Sequence, residues 1–362
     1  MGDLGTTSGF YSARPALSLE GRVDDGLTQG LLALSVSEDT EGLFRCEACF
    51  GNWGSTSGEP GFLYFDRQGL DFGRRLAVEV GSGGSAAQVF DGRITALEGR
   101  FPQKRPPEIQ VLAEDRFQDL RMTRRSRTFE EVSDRDVIEE VAGHHGLGTD
   151  LDLDGPTYRV LAQVNQSDLA FLRERARAVD AELWLDGDVL HAQARARRNR
   201  GEVTLTYGKG LHEFAVCADL AHQRTTLTVG GWDVAAKEGI VHEAGADALA
   251  AEVNDGDSGP RLLEAAFGRR PEQLVHLVPL SSQEARALAE AHYRGLSRRF
   301  VSGRGVAEGD GRLRVGGRVT LAGLGPLFDG AYYLCEVRHT FDPQNGLRTA
   351  FRVERPWLGG AG

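Results

Sequence analysis

Apolar residues in this chain recur mostly at every second position, in short runs broken by glycine. That pattern predicts half-buried strands joined by turns. The clearest run holds Tyr332, Leu334, Val337 and Phe341, turns at Asp342–Gly346, and returns through Leu347–Val353 to Arg355. Ahead of it stand Phe328-Asp329-Gly330 and, earlier, Leu313-Arg314-Val315-Gly316 with Val319 and Leu321. A second stretch has the same order. Leu70-Asp71-Phe72-Gly73 with Leu76 and Val78 precedes Phe90-Asp91-Gly92, then Ile94, Leu97 and Phe101. A turn with Pro102, Pro106 and Pro107 follows, then Ile109-Gln110-Val111-Leu112, ending near Arg116. A third block matches Gly30-Leu31, Leu34, Val36, Asp39 and Trp53 with Gly210-Leu211, Phe214, Val216, Asp219 and Trp232. Blocks recurring in one order predict a duplicated β-domain.

The periodicity changes between the copies. Ser133 followed by Asp136 is an N-cap signature, Val137, Ile138 and Val141 share a helical face, and Gly146 stops the helix. A strand is predicted at Tyr158–Leu161. Ser167 or Asn165 can then cap a second helix with Leu169, Leu172, Ala176 and Val179 at helical spacing. Ala181–Leu185 and Val189–Ala192 flank Asp186-Gly187-Asp188, a hairpin signal. The later copy carries its own insertion, a helix opened by a capping box at Ser281 and Glu284 and running to about Arg299. Asn254–Gly259 before it is a polar, glycine-rich loop.

A length of 362 residues exceeds one ordinary core and predicts about two to three domains. Hydrophobic residues at 40% and charged residues at 26% describe a soluble globular chain, and the 47 glycines agree with many turns. The net charge of −11 argues against nucleic acid as the main partner, since phosphate binding needs a basic footprint. Two basic runs, Arg121–Arg127 and Arg195–Arg200, read as solvated faces or contacts with an acidic partner. No stretch approaches the ~18 apolar residues of a membrane span, and the N-terminus lacks a signal-peptide pattern. Met1–Thr6 fits a loose myristoylation pattern that chance also explains. Four cysteines make no disulfide framework, which suits a reducing cytoplasm.

Candidate chemistry is sparse. Asp150–Gly155 starts like a calcium loop, but Leu161 stands where a bidentate Glu is needed. Cys46 and Cys49 have metal-ligand spacing without a second pair, and on a strand they face opposite sides. Gly303-Arg304-Gly305 with Gly309 has a helix before it and a strand after it, the reverse of a dinucleotide loop. His144 and His145 end a helix, where His is a common capping residue. No catalytic, cofactor-binding or metal-ligating residue is assigned.

The stretch Tyr158-Arg159-Val160-Leu161-Ala162-Gln163-Val164-Asn165-Gln166-Ser167-Asp168-Leu169-Ala170-Phe171-Leu172-Arg173-Glu174-Arg175-Ala176 closely resembles the phage late control D family. These are hub proteins of contractile tails and the hub portion of type VI secretion spike proteins. Val229–Asp233, Gly316–Val319, Phe328–Tyr333, Val337–Phe341 and Gly346–Arg355 are also family-like. The resemblance implies an α+β, mainly β fold: two tail-tube-like antiparallel β-barrels, an α+β insert between them, and a helix inserted in the second barrel. The corresponding boundaries are 1–116, 117–201 and 202–362, with the inserted helix at about 281–299. It further implies a homotrimer whose pseudo-six-fold ring adapts a hexameric tail tube to a trimeric spike. Partners would be the tube protein, baseplate wedge proteins and toxin or DNA cargo passing through the channel. Because the sequence stops at Gly362, the spike is expected as a separate polypeptide. Barrel edges and the helices at Ser133–His145 and Ser281–Arg299 are the candidate contacts. The chain is expected in the bacterial cytoplasm during assembly, then in the assembled particle, and not to be an enzyme. Competing readings are a tail-associated cell-wall hydrolase using the carboxylates of Glu130–Asp154, and a glycan-binding β-protein.

Overall fold

The computed structural model describes residues 14–56, 58–81, 85–234, 236–254 and 256–359. The lipidation pattern at Met1–Thr6 and Asp255 of the polar loop lie outside them. Twelve strands build the frame. The first six are β1 (Ala16–Leu19), β2 (Leu31–Asp39), β3 (Arg45–Gly51), β4 (Arg75–Val80), β5 (Ala87–Arg100) and β6 (Glu108–Glu114). The second six are β7 (Glu202–Tyr207), β8 (Gly210–Ala218), β9 (Val301–Glu308), β10 (Arg318–Ala322), β11 (Gly330–Asp342) and β12 (Gly346–Arg355). Burial alternates along them, as in β3 and β4, so each strand gives one face to a core.

The second six close into a barrel in the order β11-β10-β7-β8-β9-β12, with β12 returning to β11. Leu211, Val301, Leu321, Leu334 and Phe351 fill it. The first six run β1-β4-β5-β6-β3-β2 around a core of Leu17, Val36, Phe50, Val78, Ile94 and Val111. That barrel stays open, because β1 and β2 do not pair. The far edge of β2 instead continues into the other barrel: Leu34–Asp39 lie antiparallel to Phe341–Glu336 of β11. Phe341 and Leu347 extend beyond their own barrel and enter the first core.

The two sets repeat in hydrogen-bond register, not only in pattern. β2 and β3 slip by one residue between Leu31 and Ala33, and β8 and β9 slip between Leu211 and Glu213. β5 and β6 slip between Ile94 and Ala96, and β11 and β12 between Leu334 and Glu336. Gly73 donates its N–H to the Ile94 carbonyl, and Gly316 donates to Leu334. Both glycines have positive φ, 77° and 87°, which an L side chain adopts only at a cost. The blocks at Gly30/Gly210 and Leu70/Leu313 are thus equivalent positions.

Two landmarks are not equivalent. Gly92 lies opposite Leu76, and its counterpart by register is Tyr332 opposite Val319, so the two Phe-Asp-Gly triplets sit two residues out of step. Trp53 follows β3, whereas Trp232 belongs to a separate sheet. That sheet also corrects the expected single-helix insertion. Between β8 and β9 stand strands Thr226–Asp233, Glu238–Ala244 and Pro271–Leu274, a helix Gly259–Phe267, and the expected helix Ser282–Arg298. Leu227, Val229, Leu249, Ala289 and Tyr293 give this insertion a core of its own.

The insert between the copies matches its sequence signals closely. Helix α1 (Asp134–His144) starts at a capping box of Ser133 and Asp136. Helix α2 (Asp168–Ala178) is capped by Ser167, whose hydroxyl accepts the Ala170 N–H at 3.2 Å. The Tyr158 strand runs from Thr157 to Ser167 and pairs with Arg124–Ser133. Ala181–Asp186 and Val189–Ala194 form the hairpin, with Gly187 at φ 57° in its turn.

Candidate assembly interface

Strand order produces one feature larger than either barrel. β5-β6-β3-β2-β11-β12-β9-β8 is a run of eight antiparallel strands, formed by two equivalent blocks of four joined at β2 and β11. The core sides of both blocks are apolar. The opposite face alternates to Ser35, Ser37, Glu47, Cys49 and Gln110 on one block, and Ala215, Arg304, Arg338, Ala350 and Arg352 on the other. Small and polar side chains of both signs make this a wetted face.

The joint between the blocks is buried. Val36 and Val337 are fully shielded, Leu34 and Phe341 nearly so. Across it Glu38, also buried, pairs with Arg314, and accepts the Val315 N–H at 3.3 Å. Arg314 also donates to the Gln88 carbonyl at 2.7 Å, so the loop before β10 clamps the first barrel.

Each end of the run leaves an edge open among the described residues. Beyond its pairing with β4, the edge of β5 from Ala96 to Arg100 faces away from β6 without a ladder. β8 pairs with β7 only at Gly210 and Leu211, which leaves Glu213–Ala218 open on that side. Next to the β5 edge lies an exposed aromatic cluster. Trp53 meets Phe62 at 5.3 Å between ring centroids, Phe62 meets Phe65 at 5.0 Å, and Phe65 meets Phe101 at 5.7 Å. Phe101 is 67% exposed.

The insert, the second barrel and its insertion meet at a buried ion network. Arg298, at the end of the Ser282–Arg298 helix, pairs with Asp180 and with Glu252 at 2.6 Å. Arg195 pairs with Glu354, and Arg198 donates to Glu182 at 2.6 Å and to the Val315 carbonyl at 3.0 Å. Tyr333 donates to Glu182 as well; burial first, and then this carboxylate, push its phenol above the usual range. The run Arg195–Arg200 is therefore no solvated face: its acidic partner is the chain itself.

The run Arg121–Arg127 stays largely on the surface, but its arginines are paired within the chain. Arg121 pairs with Glu114 at 2.7 Å, and Arg127 and Arg125 pair with Asp168 at 2.9 and 3.3 Å. His145 Nε2 lies 2.8 Å from the same carboxylate and Gln163 donates to it at 2.9 Å. Burial alone would raise the Asp168 pKa; the bonds from His145 and Gln163 and the two guanidinium groups hold it below the usual value. Sequence reasoning missed this node, because its members come from two paired strands and two helix ends far apart in the chain.

The remaining candidates are structural. Asp150 contacts His191 at 3.0 Å, while Asp152 and Asp154 meet Arg197 at 3.1 and 2.8 Å, so each carboxylate of the calcium-like stretch already has a partner within the chain. Cys46 is buried in the first core and Cys49 lies on the wetted face, so they cannot share an ion. Burial pushes both thiols upward, away from reactivity. Gly303 and Gly305 are strand residues of β9. A Cβ at Gly303 would come 2.4 Å from Phe214, and one at Gly305 2.6 Å from Phe351. Of the Glu130–Asp154 carboxylates, Asp134 is held by Arg175 at 2.7 Å and Tyr158 at 3.0 Å, and Asp136 caps α1. Helix α1 gives its apolar face to the insert core, with Glu139 and Glu140 outward. Among the described residues no group of three or more His, Cys, Asp or Glu could hold a metal ion. No helix there is long and apolar enough to cross a membrane.

The model of the Alg8 N-terminal domain family matches residues 59–342, from the segment between β3 and β4 to the end of β11. The chain belongs to the Alg8 N-terminal domain family. Solved structures share its fold at low identity. The 43 kDa tail protein of prophage MuSo2 from Shewanella oneidensis superposes with a TM-score of 0.67 at 14% identity, covering 95% of this chain and 98% of that one. A tail protein from Neisseria meningitidis MC58 gives 0.65 at 11% identity, with 95% and 97% covered. The E. coli c3393 protein is described as a component of the type VI secretion system with structural similarity to bacteriophage T4 tail proteins. It gives 0.55 at 14%, with 94% of this chain and 76% of that one covered. No curated protein sequence matches. The fold of this member of the Alg8 N-terminal domain family is shared with phage tail proteins.

Proposed function

We propose that the chain is the structural hub of a contractile, phage-tail-like injection system, of the late control D kind. Three copies form a pseudo-six-fold ring that adapts a hexameric tail tube to a trimeric spike and anchors the baseplate. The observation carrying this reading is the repetition of four strands in one register within a single chain. A chain holding two equivalent tube-like blocks occupies two of six places, so a trimer presents six-fold contacts upward and three-fold contacts downward. Tail protein neighbours and the wetted face of the eight-strand run support it, since a channel for cargo needs a polar lining. The role is one of assembly, carried by sheet edges and faces. Light scattering on the purified chain, alone and with tube and spike proteins, should give a trimer, and negative-stain images a ring with a central channel. Monomers under all these conditions refute the reading. So would release of muropeptides from purified peptidoglycan.

A further inference from the structure

Three parts of the chain meet without filling the space between them. The loop after β2, the insert, and the insertion between β8 and β9 enclose a cavity of about 380 Å³. Its apolar wall comes from two separate cores. Leu183 belongs to the core of the insert, and Leu227, with Leu274 and Leu296 packed against it, to that of the insertion. These leucines line one cavity without joining into one core, and the ion pairs of Asp180 with Arg294 and Arg298 bridge the two parts beside it. The volume lies within the ~300–1,000 Å³ of small-molecule sites, which combine a mainly apolar wall with a few polar groups.

The charge left in the lining is positive. Every lining carboxylate already has a cation: Glu41 has Arg177, Asp180 has Arg298, Glu182 has Arg198, and Glu272 has Arg224 at 2.6 Å. Two lining arginines remain. Arg299 donates Nε to the Gly295 carbonyl at 3.1 Å and meets no carboxylate among the described residues. Arg173 donates to the Glu41 carbonyl at 2.6 Å, while the Glu41 carboxylate, bonded to Arg177, stands 3.9 Å away. Burial holds the Arg173 pKa below the usual guanidinium value, although Glu41 and Asp39 oppose the shift. A half-buried cation without a full partner is unfavourable, and an anion bonded to it offsets that cost.

We infer that this cavity binds a small amphipathic anion, with a carboxylate-type head at Arg173 and Arg299 and an apolar body against Leu183, Leu227, Leu274 and Leu296. The occupant touches all three parts and so fastens the insertion to the insert and the first barrel. The inference does not depend on the hub reading, and either can fail without the other.

Octanoate has this chemistry, while octanol and acetate each lack half of it. Equilibrium dialysis of radiolabelled octanoate against the full chain should show one saturable site per chain, and neither octanol nor acetate should displace the label at equal concentration. Arg299→Gln alters an exposed side chain and should weaken binding about tenfold or more, the cost of one charged hydrogen bond. Ala291→Phe, which fills the cavity from the helix Ser282–Arg298, should abolish binding. Arg173→Met should weaken it as Arg299→Gln does, so failure of Ala291→Phe to fold leaves the test intact. Displacement by octanol as good as by octanoate itself overturns the anionic head. Octanoate bound equally by the natural chain and all variants sits elsewhere and overturns the site. Absence of saturable binding to the natural chain overturns the inference as a whole.

Discussion

Acid should open the internal joint, and His339 sets the scale. Its ring lies on the core side of β11, opposite Val36 of β2, with no exposed surface and with Nδ1 3.0 Å from Thr349 Oγ1. Burial first, and then the charge of Arg314, push its pKa down to about 3, with Asp310 opposing them in part. The folded value lies below the unfolded one of about 6.5. Neutral His339 therefore stabilises the fold fully above pH 6.5, and that contribution is lost as pH falls toward 3. Each pH unit in that window costs about 1.4 kcal/mol, so pH 4.5 costs about 2–3 kcal/mol relative to pH 7. Urea unfolding of the natural chain and of His339→Gln, in steps from pH 7.5 to 4.5, isolates the effect, because the other titrating groups are common to both. The natural chain should lose about 2–3 kcal/mol more than the variant across that range. If the two stabilities fall in parallel, His339 does not titrate between the folded and unfolded states, and the account of it as a buried, neutral side chain at the joint is wrong.

Asp168→Ala should destabilise the chain by about 3 kcal/mol, since it leaves Arg125, Arg127 and His145 without their shared partner; urea unfolding at pH 7 measures this. Because the Asp168 pKa is held below its unfolded value, the natural chain should approach the variant as pH falls through the acid range, and a constant gap would contradict that. Gly303→Ala should cost about 1–3 kcal/mol in thermal or urea melts, because the new methyl meets the Phe214 ring in a packed barrel wall; unchanged stability would show the ring free to move. Arg298→Ala should cost about 3–5 kcal/mol by removing the buried cation that Asp180 and Glu252 share. Limited proteolysis of that variant should cut first around the insertion between β8 and β9, and cleavage starting elsewhere would place the weak point in another seam.

Local chemistry wrote much of this fold into the chain. Ser133 with Asp136, Ser167 and Ser281 start their helices because a side-chain oxygen next to free N–H groups needs no distant partner. The equivalence of Gly73 and Gly316, and of Leu76 with Val319, was readable because turn glycines and period-2 burial are properties of short segments. Tertiary structure decided what lies beside each segment. Backbone ladders carry no side-chain label, so nothing along the chain said that β2 would leave β1 unpaired and join β11, or that one barrel would close and the other stay open. For the same reason the Phe-Asp-Gly triplets and the two tryptophans looked aligned, and only hydrogen-bond register separated them. The basic runs looked solvated because sequence shows a charge but not the carboxylate that distant folding brings to it, as Glu182 and Glu354 come to Arg195 and Arg198.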